Sequence, residues 1–131
     1  MKDIPLGAKG SFTLTVGPEH LANRIDPMLA AVLSTPSMVS AMEMAAFNAI
    51  KPYLDAGESS VGSGIEIRHV AATPPGHQVR AEAELVKVEG RRLEFKVRAF
   101  DEVEEIGSGT HHRAIVNAAK FEERLRPKLK G

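Results

Sequence analysis

The sequence of 131 residues (14.1 kDa) is long enough for one domain with a packed core, since single domains commonly hold roughly 100–150 residues. It carries 17 Lys and Arg against 17 Asp and Glu, and this balance without a charged block argues against nucleic acid or a membrane as partner. Cysteine is absent, which excludes disulfides, thiolate nucleophiles and cysteine-bound zinc. With no signal-peptide pattern and no apolar run of about 18 residues, we expect a cytoplasmic protein with a single domain over residues 1–131.

The first part of the chain predicts one strand and one long helix. Apolar and polar residues alternate over residues 10–16, which is typical of a half-buried strand. Residues 19–34 predict a loop with one helical turn. Thr35 and Pro36 then predict a helix start, with Thr35 as the N-cap, and the helix is expected to reach about Tyr53. Apolar side chains cover most of its circumference, so other structure should largely enclose it.

The second part predicts four strands, over residues 60–71, 78–88, 92–100 and 103–119, with alternation that favours an antiparallel sheet. In the first of them Val61, Ile65 and His69 should share one face. The charged tail over residues 120–131 predicts fraying or a short surface helix. One apolar helix with about five antiparallel strands predicts an α+β hotdog fold, in which the sheet curls around the helix. Open sheet edges make a homodimer the default expectation, with a tetramer as an alternative.

Glu43 is a carboxylate in an apolar stretch of the predicted helix. Its neighbours one turn away are Val39, Ala46 and Phe47. A carboxylate on such a surface is desolvated unless it is hydrogen-bonded or protonated. Glu43 is therefore either a buried acid with a chemical role or a residue at the margin of the polar arc that reaches water.

His69 and Thr35 are the other candidates for chemistry. Strand alternation points His69 toward the helix, where it is either a core histidine or a partner of Glu43 in acid–base catalysis. Thr35 is first of all a helix cap, although a helix N-terminus also offers N–H groups to an oxyanion.

Three further features lie on the predicted strands. Gly62 and Gly64 predict a β-bulge or a close backbone approach to a ligand. His111 and His112 are adjacent in a strand and face opposite ways, so they form a poor metal pair. Arg113 is either solvated or paired with a carboxylate or a carbonyl group.

Four stretches together resemble the fluoroacetyl-CoA thioesterases and their close hotdog-fold relatives: residues 35–43, residues 62–76, residues 88–93 and residues 105–114. The resemblance extends from about residue 5 to residue 121. It implies a homodimeric enzyme that hydrolyses short acyl-CoA thioesters without a metal or another cofactor.

The resemblance also implies a role for particular residues. His69 would be the acid–base, Glu43 the carboxylate that attacks the thioester or activates water, and Thr35 the hydroxyl that completes a triad. Gly62 and Arg113 match positions that contact substrate.

The lid that precedes the threonine departs from the family pattern. Family members carry aromatic lid residues there, whereas the matching residues in this sequence are Asp26 and Leu29. Leu29 is expected to contact the substrate, and the change implies the same chemistry on a different acyl group.

Two other classes of function stay open at this point. One is a hotdog protein that binds acyl-CoA or another small ligand without turnover, which a Glu43 turned toward solvent would favour. The other is an enoyl-CoA hydratase or dehydratase, because that chemistry also uses a histidine and a carboxylate.

Overall fold

The computed structural model describes residues 1–129, which form five strands and two helices. The strands are β1 (Lys9–Thr15), β2 (Glu58–His69), β3 (Gln78–Glu89), β4 (Arg92–Phe100) and β5 (Glu105–Asn117), and the helices are α1 (Thr35–Ile50) and α2 (Ala118–Leu129). The strands form one antiparallel sheet in the order β1-β3-β4-β5-β2, and this sheet curls around α1. The predicted hotdog fold is therefore confirmed.

The core lies between α1 and the inner face of β3 and β4. Both strands alternate buried and exposed side chains, as their sequences predict. Their inward residues include Leu85, Phe95 and Val97, which pack with Met38 and Met42 of α1. Burial of each such large side chain contributes about 1.5–3 kcal/mol.

The start of α1 differs from the prediction. The N-cap is Ser34, whose Oγ accepts a hydrogen bond from the backbone N–H of Ser37 at 3.2 Å. The prediction of Thr35 as N-cap is thus wrong by one residue, and the Thr35 hydroxyl is not needed as a cap. The α-helix also ends at Ile50, because Pro52 has no N–H to continue it, and Lys51–Tyr53 form a 3-10 turn.

A β-bulge interrupts the pairing of β2 with β5. The register shifts between Gly62 and Gly64, so Ser63 is an extra residue. An extra residue exchanges the two faces of a strand, because side chains alternate. Gly62, rather than Val61, therefore shares the inner face with Ile65. The predicted bulge is confirmed, but the predicted placement of Val61 beside Ile65 is wrong.

Several boundaries also differ by a few residues. Strand β2 begins and ends two residues before the prediction, and β5 is shorter at both ends. The loop before α1 holds two 3-10 turns, Pro18–His20 and Ala22–Arg24, in place of the single predicted turn. The charged tail forms the surface helix α2, and residues 130–131 of that prediction lie outside the described residues. No helix within residues 1–129 is both long and apolar enough to cross a membrane.

Candidate active site

Thr35 and His69 form a hydrogen-bonded pair where the start of α1 meets the end of β2. The distance from Thr35 Oγ1 to His69 Nδ1 is 2.8 Å. Burial lowers the pKa of His69, an effect partly offset by the backbone of Ala71, so the imidazole is neutral at physiological pH. Its Nε2 is enclosed and has no hydrogen-bond partner among the described residues.

The Thr35–His69 pair lines an apolar hollow of about 450 Å³, which we call the Thr35 hollow. Its walls come from the loop before α1 and from the end of β2, and they are formed by Ala22, Ile25, Leu29, Val32, Leu33, Ser34, Thr35, Pro36, His69, Val70, Ala71 and Ala72. Leu29 lines the same hollow as the pair, with half of its surface exposed (50%), and its predicted contact with substrate stays a prediction. Asp26 does not line the hollow, and its Oδ1 accepts a hydrogen bond from the backbone N–H of Met28.

Glu43 lies in a second hollow, of about 240 Å³, which we call the Glu43 hollow. Gly62, Gly64, Ile65 and His111 form the rest of its wall. The Glu43 side chain is 41% exposed in the single chain, so of the two alternatives the single chain shows a carboxylate that reaches water. Glu43 Oε2 lies 3.7 Å from Nη1 of Arg113, which makes an ion pair at the rim of the hollow.

The bulge brings the backbone of Gly62 up to the Glu43 carboxylate. A Cβ atom on Gly62 would lie 2.9 Å from Glu43 Oε2 and 3.4 Å from Cε1 of His111. A side chain at position 62 would therefore displace the carboxylate. The sequence pattern of two glycines in a strand predicts this close approach, although not the group that is approached.

Arg113 is buried, with 7% of its surface exposed, and it has several partners. Its Nε donates to Ser60 Oγ at 2.8 Å and its Nη2 donates to the Ser60 carbonyl oxygen at 2.9 Å. The guanidinium carbon lies 6.0 Å from the ring centre of Phe47. Burial lowers the pKa of Arg113 and Glu43 opposes this effect, while a guanidinium stays charged at neutral pH. Of the two alternatives for Arg113, the structure shows the paired one, with a carbonyl group and a carboxylate as partners.

Sequence reasoning missed Ser60 and His111 as neighbours of this ion pair. His111 lies two residues before Arg113 in β5, so strand alternation alone would have placed both on one face. Ser60 could not be found in this way, because the bulge exchanges the faces of β2 between Ser60 and Ile65.

The three predicted catalytic residues form two groups in the single chain. No hydrogen bond or ion pair within residues 1–129 joins Glu43 to Thr35 or His69. The eight residues from Thr35 to Glu43 correspond to about 12 Å along the axis of α1. Within the same range, no three His, Asp or Glu side chains are grouped so that they could hold a metal ion.

The chain has a curled antiparallel sheet around one helix. It carries a Thr–His pair where the helix meets β2 and a carboxylate further along the helix. These features place it among hotdog-fold thioesterases. The family model of fluoroacetyl-CoA-specific thioesterases (FlK) matches residues 16–119. The fluoroacetyl-CoA thioesterase of Streptantibioticus cattleyicolor is 52% identical over 97 residues, which cover 74% of this chain and 70% of that protein. The chain belongs to the fluoroacetyl-CoA-specific thioesterase family and is a thioester hydrolase.

Solved structures show the same relationship. A structure of the fluoroacetyl-CoA thioesterase matches with a TM-score of 0.90 at 41% identity, covering 97% of this chain and 98% of that chain. A hypothetical protein from Thermus thermophilus, described as a thioesterase superfamily member, matches with a TM-score of 0.92 at 35% identity, covering 99% of this chain and 96% of that chain.

Proposed function

We propose that the protein hydrolyses short acyl-CoA thioesters with Thr35, Glu43 and His69. The observation that carries this proposal is the Thr35–His69 hydrogen bond of 2.8 Å at the mouth of an apolar hollow. Fluoroacetyl-CoA thioesterase variants have been crystallised with acetyl-CoA and with fluoroacetate and CoA, which supports a CoA thioester as substrate. Membership in a thioesterase family favours hydrolysis over enoyl hydration and over binding without turnover.

The roles of the three residues follow from their surroundings. A neutral imidazole accepts a proton readily, and burial keeps His69 neutral. With Nδ1 unprotonated, His69 accepts a hydrogen bond from the Thr35 hydroxyl and orients that hydroxyl in the Thr35 hollow. Glu43 supplies the carboxylate that attacks the thioester carbonyl or activates a water molecule, while the ion pair with Arg113 orients it.

The complete site is formed between two copies of the chain. Strand β2 is an edge strand, with only β5 paired to it among the described strands, so a second β2 could pair along its open side. Antiparallel pairing about a two-fold axis between Gly62 and His69 would bring the Glu43 hollow of one protomer to the Thr35 hollow of its partner. Beside Glu43, α1 also exposes 41% of the apolar Met44, which such a contact would cover.

Mixing two inactive variants tests this arrangement. We expect Glu43→Gln and His69→Ala each to abolish thiol release from acyl-CoA while leaving a folded dimer. After random exchange of protomers, heterodimers carry one intact site, so about a quarter of the wild-type activity should return. Mixing Glu43→Gln with Glu43→Ala is the control and should restore nothing.

Two outcomes would contradict the proposal. If the mixed dimers form but stay inactive, the catalytic residues act within one chain. If His69→Ala hydrolyses acyl-CoA at the wild-type rate, the triad itself is wrong.

The residues of the lid favour a substrate with an acyl group other than fluoroacetyl. Among the described residues that line the Thr35 hollow, none is Phe, Tyr or Trp, and aliphatic side chains such as Ile25, Leu29 and Val70 take their place. An open aliphatic wall fits a short apolar acyl chain and offers no aromatic edge to a carbon–fluorine bond.

A panel of acyl-CoA substrates tests the lid. The wild-type enzyme should prefer propionyl- or butyryl-CoA to fluoroacetyl-CoA by kcat/KM, and Leu29→Phe should reduce that preference. Asp26→Asn is the control, because Asp26 lies outside the hollow. A wild-type preference for fluoroacetyl-CoA would contradict the proposed acyl specificity and leave the thioesterase assignment standing.

A further inference from the structure

His111 is a buried histidine next to the proposed site, and the proposed mechanism does not use it. It lies on the inner face of β5 with 2% of its surface exposed. Its ring stacks on Phe95 of β4, with 6.3 Å between the ring centres. Its Cε1 also faces Gly62 across the Glu43 hollow.

The hydrogen bonds of His111 define its protonation state. Nδ1 lies 2.9 Å from the carbonyl oxygen of Gly64, which can only accept, so Nδ1 carries a proton. Nε2 lies 3.2 Å from Nη1 of Arg113, which can only donate, so Nε2 is unprotonated. Only the neutral Nδ1–H form of His111 makes both bonds.

The bond to His111 determines where Nη1 of Arg113 points. The other two guanidinium nitrogens, Nε and Nη2, donate short hydrogen bonds to Ser60. Nη1 is left between two acceptors, Nε2 of His111 at 3.2 Å and the carboxylate of Glu43 at 3.7 Å. His111 thus connects the bulge at Gly64 to the ion pair that holds Glu43.

We propose that His111 is a positioning residue, which holds the Arg113 guanidinium against Glu43 while neutral and releases it when protonated. This inference rests on the proposed role of Glu43. A proton on Nε2 removes the acceptor for Nη1 and places a second cation beside Arg113. The guanidinium then moves away, and the Glu43 carboxylate loses its orienting partner.

The charged groups around His111 are few. Arg113 and His112 on its own strand disfavour the protonated form, and Glu43 on α1 favours it. On β2 it meets the Gly64 carbonyl group, and on β4 the uncharged ring of Phe95. Burial is the largest effect and lowers the pKa of His111, so the neutral form persists as pH falls below the usual range for histidine.

Three variants separate positioning from packing. His111→Leu keeps an apolar side chain but neither hydrogen bond, and we expect kcat to fall roughly tenfold to a hundredfold with little change in KM. His111→Gln supplies one donor and one acceptor that do not titrate, so it should recover most of the activity. In a plot of log(kcat/KM) against pH, the decline at low pH should reflect two protonation steps in the wild type and only one in His111→Gln. His112→Gln, on the outer face of β5, should keep the wild-type kcat and both protonation steps.

A second measurement is independent of activity. In the wild-type dimer, the ¹⁵N chemical shifts of the histidine rings should show His111 as the neutral Nδ1–H tautomer at pH 7. An Nε2–H tautomer or a charged ring would overturn the inference, and so would wild-type kcat in His111→Leu. Absence of thiol release by the wild-type enzyme would instead contradict the proposed function, while the ring shifts would still report the arrangement of His111.

Discussion

Two neighbours, Arg113 and Gly62, determine the position of the Glu43 carboxylate. Arg113 attracts it at 3.7 Å, and the missing side chain of Gly62 leaves the space that it occupies. Gly64, two residues further along the same bulge, is different, because a Cβ there would lie 3.6 Å from Cδ2 of His112, an ordinary contact. These two glycines therefore form a matched pair for substitution.

Gly62→Ala should fold but lose activity. The atom that its Cβ would displace is the flexible end of Glu43 rather than backbone, so we expect little loss of stability. A carboxylate moved by about 1 Å should lower kcat/KM by about a hundredfold. Gly64→Ala should stay within about twofold of the wild type, because its Cβ would make only ordinary contacts with His112 and would not meet Glu43. Thiol-release kinetics and urea unfolding of both variants check this, and equal activities would contradict it.

At the level of elements, α1 lies unusually close to β1. A Cβ on Gly10 would meet the helix backbone, including the Ala45 carbonyl oxygen and, at 2.8 Å, the Cα of Ala49. A hydrogen bond of 2.9 Å from Asn48 Nδ2 to the Ser11 carbonyl oxygen fixes the same contact. Backbone atoms cannot move aside as a flexible side chain can, so the close packing of α1 on β1 requires a glycine at position 10.

Gly10→Ala should therefore destabilise the fold. Forcing extra volume into a packed contact costs about 1–3 kcal/mol, and here the whole helix must move. Ser11→Ala is the control, since Asn48 bonds to the backbone of Ser11, and it should change stability by less than about 0.5 kcal/mol. Urea unfolding followed by circular dichroism measures both, and an unchanged midpoint for Gly10→Ala would refute the close-packing argument.

Alternation in the sequence was sufficient for β4 and for β3 as far as Leu85, after which the register of β3 against β4 shifts, since both have one buried face near α1. It failed in β2, where the bulge at Ser63 reverses the faces and moves Val61 outward. The cap of α1 was misplaced for another reason: Pro36 directed the prediction to Thr35, although the neighbouring Ser34 is also a good capping residue and the Thr35 hydroxyl bonds to His69 instead. Local patterns thus predict the elements, whereas a change of register or a competing partner is decided by the folded chain.

At the level of the whole molecule, two histidines couple the fold to pH. Burial is the first cause of the lowered pKa of both His69 and His111. As pH falls through the ordinary histidine value of about 6.5, the unfolded chain binds protons that the folded chain does not, so the folded state loses stability. This window lies above the range in which most carboxylates titrate.

The histidine contribution to the free energy of unfolding should therefore be complete by about pH 7.5, and the free energy should fall between about pH 6.5 and pH 5. His111→Gln should fall less steeply, because it removes one of the two groups. Urea midpoints at intervals of pH measure this dependence. Stability that stays level or rises on acidification through this window would contradict the buried, neutral histidines.

The candidate site was predictable in part from the same chain of reasoning. An acidic residue on an apolar helix and a histidine on an inward strand position gave Glu43 and His69 from the residues alone. That Glu43 and His69 do not contact each other in the single chain was not apparent, because helical position specifies a face but not which neighbour, or which copy of the chain, faces it.

The bulge in β2 has a consequence for how this chain tolerates changes in length. Deleting Ser63 would restore continuous pairing with β5, because Gly62 already pairs with Arg113 and Gly64 with His112. Ser60 and Gly62 would stay on the inner face and Val61 on the outer face, so Arg113 would keep its Ser60 partners. Single-residue insertions and deletions are commonly absorbed in surface loops, but here a strand beside the Glu43 carboxylate can absorb one. A relative aligned with a gap at Ser63 should therefore keep the same side chains around its carboxylate.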